Sequence, residues 1–117
     1  MAQMYMGGRW VDGSASAPVT NPFDGSTIDT VPQATIEEID LAVQSAKRGF
    51  KQMKAISAFD RYTALMRTVE LVRERHEDFA RTIQQEEGKT IGEARVEVDR
   101  CIQTLSWSAE EAKRLYG

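Results

Sequence analysis

The chain is 117 residues long, 41% hydrophobic and 28% charged, one domain's length of an ordinary soluble globular protein with a modest core. Fifteen Lys and Arg against eighteen Asp and Glu leave a net charge of −3 without a block of like charge, which argues against nucleic acid or an anionic membrane as partner. The lone cysteine can close no internal disulfide, the N-terminus carries no basic segment followed by an apolar one, and no apolar run could span a bilayer, so a cytoplasmic protein is expected.

Composition changes once, near residue 34. Before it, Gly, Pro, Ser, Thr and Asp punctuate short β-prone pieces; after it there is no proline, and Ala, Glu, Arg, Leu and Gln dominate. An α+β chain follows, with short β-hairpins in a region 1–34 and three to four α-helices in a region 35–117. Met4 to Met6 and Arg9 to Val11 flank Gly7-Gly8, a pair suited to a two-residue hairpin loop. In "NPFDG", Pro22 pre-sets φ and Asp24-Gly25 closes a turn before the strand-like "STIDTV".

Thr35 and Glu38 form the sequence pattern of a capping box. Ile36, Ile39, Val43, Ala46, Phe50 and Met53 then recur at threes and fours, the apolar stripe of an amphipathic helix. Ser57 and Asp60 open a second helix whose stripe is Tyr62, Leu65, Val69 and Val72, continued by Phe79 and Ile83 after a break around His76. Gly88 suits the left-handed stop of that segment, and Thr90 with Glu93 caps a last helix expected to run to about Gly117. These faces are expected to be only partly covered within 117 residues.

The last helix carries the cysteine. Ile91, Ala94, Val98, Cys101, Leu105 and Ala112 share a face, with Ile102 and Ala109 beside them, so Cys101 is expected to be a buried, structural thiol in mid-helix, away from the positive dipole end that lowers a thiol pKa. The opposite face aligns Val96, Arg100, Thr104 or Gln103, Trp107 and Glu111. His76 stands alone between Arg75 and Glu77 and is expected to be a solvated or capping residue. Glu86-Glu87 and Glu110-Glu111 are expected to be solvated, since adjacent residues on a helix point apart. No dinucleotide, P-loop or metal-binding motif occurs. The chain by itself therefore carries no catalytic and no cofactor-binding residues, and is expected to be inactive alone.

The order of segments is nonetheless specific. "YMGGRWVDG", "VTNPFDGSTIDTVPQAT", "IDLAVQSAKRGF", "EEGKTIGEARVEVDR" and "AEEAKRLYG" together resemble the opening of the aldehyde dehydrogenase superfamily, over essentially the whole chain. The resemblance implies part of that family's α/β fold and an enzyme that oxidises an aldehyde to an acid with NAD or NADP. It also implies the remainder of the polypeptide as partner, and a homo-oligomer. The family's nucleophilic cysteine, general-base glutamate and main nucleotide segments lie further along its chain than this sequence reaches, and Cys101 is not at the nucleophile's position. A free-standing helical interaction module, or a degenerate fragment, is the alternative reading.

Two further expectations come from the resemblance. Main-chain oxygens at Val19 and Thr20, with Glu86, correspond to a monovalent-cation site of many members; without the ion, "VTNP" is merely a turn and Glu86 a solvated carboxylate. The face carrying Val96, Arg100, Thr104 and Trp107 borders the family's substrate tunnel. An arginine at the position of Arg100 accompanies aldehydes with an anionic tail, which a guanidinium can hold by two parallel hydrogen bonds. The alternative is a surface arginine paired with Asp99, Glu97, Gln103 or Thr104.

Overall fold

The computed structural model describes residues 2–115. Four strands precede four helices: β1 (Met4–Met6), β2 (Arg9–Val11), β3 (Ala15–Thr20), β4 (Thr27–Gln33), α1 (Ile36–Ala55), α2 (Ala58–Glu74), α3 (His76–Glu87) and α4 (Ile91–Ala112). They form two compact units that divide after Ala55. The compositional change near residue 34 marks the passage from strand to helix; the boundary between the compact units falls one helix later, because α1 lies with the strands.

In the first unit β1 and β2 pair antiparallel, Met4 opposite Val11 and Met6 opposite Arg9. Gly7 and Gly8 connect them at φ 62° and 82°, left-handed values that cost a residue with a Cβ and cost glycine little. A Cβ added at Gly7 would also stand 3.3 Å from the Ser45 hydroxyl on α1, close enough that the hydroxyl would have to shift by a few tenths of an ångström. β3 and β4 form a second antiparallel ribbon, Ala15 opposite Gln33, with an irregularity between Val19 and Thr20. Composition does not single out β3, which contains Pro18. A two-stranded ribbon has only edge strands, where a missing N–H can face outward and proline is tolerated. The "NPFDG" turn is as expected: the Gly25 amide donates to the Asn21 carbonyl at 2.8 Å, and the Phe23 amide to the Asn21 side chain at 2.9 Å.

The capping box opening α1 is complete, the Thr35 amide donating to Glu38 Oε2 at 2.8 Å and the Glu38 amide to Thr35 Oγ1 at 3.2 Å. The apolar stripe is present but uncovered. Ile36, Ile39, Val43, Phe50 and Met53 are all exposed, and the half-buried positions are Glu38, Ala42, Ser45 and Gly49. These recur at threes and fours on another face, three of them small enough to approach the β1–β2 turn.

The second unit is a helical bundle built on α4, with α2 and α3 both packed against it. Reciprocal capping boxes start α2 at Ser57 with Asp60 and α4 at Thr90 with Glu93. Arg75 separates α2 from α3, realising the break expected at His76. Gly88 ends α3 at φ 66°, its amide donating to the Gln84 carbonyl. Val69, Ala80, Ala94, Val98, Ala109 and Ala112 are buried; four of these are alanines, which let helix axes approach closely. α4 stops at Ala112, short of the expected Gly117, which lies outside the described residues. Its last turn is closed by Lys113, whose amide donates to the Glu110 carbonyl and whose ammonium sits 4.1 Å from the Tyr62 ring centroid.

Candidate functional site

Burying one side of α4 commits the other side outward. With Ala94, Val98, Ala109 and Ala112 turned inward, the helical period leaves Val96, Arg100, Thr104 and Trp107 on the far side. Val96 is half exposed and Trp107 is 78% exposed. Two open grooves run along this face. Lys89, Gly92, Glu93, Val96, Glu97 and Arg100 line one; Gln103, Thr104, Trp107, Ser108 and Glu111 line the next. The four residues expected to meet a substrate thus share one face, an aliphatic and a cation in one groove, a hydroxyl and an indole in the other.

The carboxylates around Arg100 are each engaged elsewhere. Asp99 Oδ1 lies 3.0 Å from His76 Nε2, Glu97 Oε1 accepts from Lys89 Nζ, and Glu93 closes the capping box, accepting from the Thr90 hydroxyl at 2.8 Å. Among the described residues Arg100 makes no side-chain hydrogen bond or ion pair, so the pairing with Asp99, Glu97, Gln103 or Thr104 that would make it an ordinary surface arginine does not occur. The electrostatics follow these partners. Hydrogen bonds to Glu87 and Glu97 raise the Lys89 pKa, those from the Thr90 side chain and backbone lower that of Glu93, and Arg95 holds the Glu77 carboxyl below its ordinary range.

Cys101 departs from expectation. It is exposed: at about 100° per residue it lies about 45° around the helix from the mean direction of Ala94, Val98, Ala109 and Ala112, at the edge of the buried stripe. Ala109, set beside the stripe by its spacing, is fully buried. His76, half-buried, is the first residue of α3 and is bound to Asp99. Of the residues corresponding to a cation site, Val19 and Thr20 lie on β3 in the first unit and Glu86 in the last turn of α3 in the second. Among the described residues no group of three or more His, Cys, Asp or Glu could hold a metal. Lys89 and Glu97 are not among the site residues expected from the sequence. They are eight residues apart, with a helix start between them, so no local spacing rule pairs them.

Comparison with known proteins places this geometry. The model of the "Aldehyde dehydrogenase family" matches residues 10–117. A glutarate-semialdehyde dehydrogenase of Pseudomonas putida is 37% identical over 98% of this chain and 24% of its own length. A 3-sulfolactaldehyde dehydrogenase of the same species is 38% identical with the same coverage. Among solved structures, aldehyde dehydrogenase 21 from Physcomitrella patens in complex with the reaction product succinate superimposes with a TM-score of 0.94 at 36% identity, over 99% of this chain and 24% of that one. The chain therefore spans about a quarter of the length of the relatives it matches. From its first strand pair to the last turn of α4, this chain belongs to the aldehyde dehydrogenase family.

Proposed function

We propose that the chain is the N-terminal segment of an enzyme that oxidises an aldehyde bearing an anionic tail to the carboxylic acid, with NAD or NADP as hydride acceptor, and that Arg100 holds the tail. The observation that carries this reading is the guanidinium of Arg100, left without an internal partner on the outer face of α4 beside Val96, Thr104 and Trp107. The relatives' names support it: glutarate semialdehyde ends in a carboxylate and 3-sulfolactaldehyde in a sulfonate, groups that match the two-pronged hydrogen bonding of arginine. The hydride acceptor is supplied by the cofactor, and the residues of this chain contribute substrate positioning alone. In the enzyme-length polypeptide carrying this segment, Arg100→Ala should raise KM for a four-carbon semialdehyde with a terminal carboxylate about tenfold or more, the equivalent of a charge-assisted hydrogen bond. Butanal, which has no anion to hold, should be little affected. Equal effects on the two substrates would make Arg100 a packing residue.

A structural monovalent cation belongs to the same reading. The main-chain oxygens of Val19 and Thr20, at the ladder irregularity between these two residues, are hard donors of the kind that suits such an ion. A crystal of the enzyme grown with rubidium should show its anomalous signal at these oxygens; water alone there would refute the assignment.

A further inference from the structure

The groove that holds Arg100 contains a second cation, and that cation carries two carboxylates. Lys89 Nζ donates to Glu97 Oε1 and lies 2.5 Å from Glu87 Oε2. Lys89 is the residue just before the Thr90 cap, so its backbone is held at the start of α4 while its side chain reaches along the groove to Glu97. Glu97 is three residues before Arg100, the spacing at which side chains on a helix meet, and an acid so placed pairs with a following cation unless something else holds it. The other acids within reach are already taken: Asp99 by His76, and Glu93 by Thr90.

We infer that Lys89 is a positioning residue for substrate specificity: by holding Glu97 away from Arg100, it keeps that guanidinium free for the anionic tail of the substrate. The inference rests on the reading of Arg100 given above. Of the groove's two cations, the ammonium carries Glu97 together with Glu87, and the guanidinium is unpaired. Removing Lys89 would leave the charge of Glu97 without a partner one turn from Arg100. Glu97 would then compete with the substrate for the same hydrogen-bond donors, acting on the anionic tail and on nothing else.

The test uses the enzyme-length polypeptide and two substrates, succinate semialdehyde and butanal. Lys89→Met should raise KM for succinate semialdehyde about two- to fivefold, the strength of an exposed helix ion pair acting as competitor, with kcat and the butanal KM unchanged. Adding Glu97→Gln to Lys89→Met should restore the original KM, because the competitor is then uncharged; lost packing could not be rescued in this way. Lys89→Arg, which keeps the pairing, should show no rise, and Lys89→Gln, which keeps a polar side chain, should repeat the rise if Lys89→Met folds poorly. A normal KM in both Lys89→Met and Lys89→Gln, alongside a selective rise in Arg100→Ala, would overturn this inference and leave the Arg100 assignment standing. A rise for both substrates that Glu97→Gln does not reverse would also overturn it. No selective effect of Arg100→Ala would remove the assignment itself.

Discussion

Arg95 on α4 grips both carboxylate oxygens of Glu77 on α3, Nε to Oε2 at 3.0 Å and Nη2 to Oε1 at 2.9 Å. The contact pins the start of α3 to the first half of α4, one turn from the His76–Asp99 contact at 3.0 Å. Its parallel geometry is that of the stronger arginine–carboxylate pairs, although both side chains are about half exposed.

This clasp should be sensitive to acid. Arg95, chiefly, holds the Glu77 pKa below its ordinary value of 4.5, with Arg81 and His76 adding to the effect. A carboxylate whose folded pKa is depressed contributes its stability above the unfolded pKa and loses it as pH falls through the folded one. The urea midpoint of the chain should therefore drop between about pH 6 and about pH 3, and drop less in Glu77→Gln. Identical pH profiles for the two proteins would show that the clasp contributes nothing.

The capping boxes should contribute measurably. Ser57→Ala and Thr90→Ala each remove an oxygen that accepts a backbone amide, from Asp60 at 3.0 Å and Glu93 at 3.3 Å. Each should cost about 1 kcal/mol in chemical denaturation, with the slope unchanged. Glycine at the same positions should cost only a few tenths of that, and an equal loss for alanine and glycine would point away from capping.

Core and edge of α4 should respond in opposite ways. Val98 is 2% exposed within the cluster of Ala80 and Ala94, so Val98→Ala should destabilise by about 1.5–3 kcal/mol. Ala94→Leu should overpack the same place, at a cost of about 1–3 kcal/mol. Cys101→Ser, at an exposed position, should stay within about 0.5 kcal/mol of the original. In the 117-residue chain the Cys101 thiol should also react with an aromatic disulfide reagent without denaturant. Labelling only after unfolding would show it to be covered.

The 117-residue chain on its own should form no NADH from any aldehyde and should not retain NAD on equilibrium dialysis, since hydride passes from the substrate to NAD only where nucleophile, substrate and cofactor are pre-organised together. Aldehyde-dependent absorbance of NADH from the purified chain would contradict this.

Local chemistry determined most of the elements. Gly7-Gly8, the Asn21 to Gly25 turn and the three capping boxes act through backbone conformation and hydrogen bonds spanning two to four residues, and such signals survive in a linear string. The order of segments likewise revealed the family. Tertiary structure decided which faces are covered. Cys101 and the α1 stripe are apolar at the right spacing and yet exposed, because periodicity states that a face can be buried and only a neighbouring element can bury it. The same holds for Arg100. Helical spacing placed it opposite the core with Val96, Thr104 and Trp107, but whether it was paired depended on Lys89 reaching Glu97 and His76 reaching Asp99. Those contacts join residues eight and twenty-three apart in the chain, and nothing short of the folded helices brings them together.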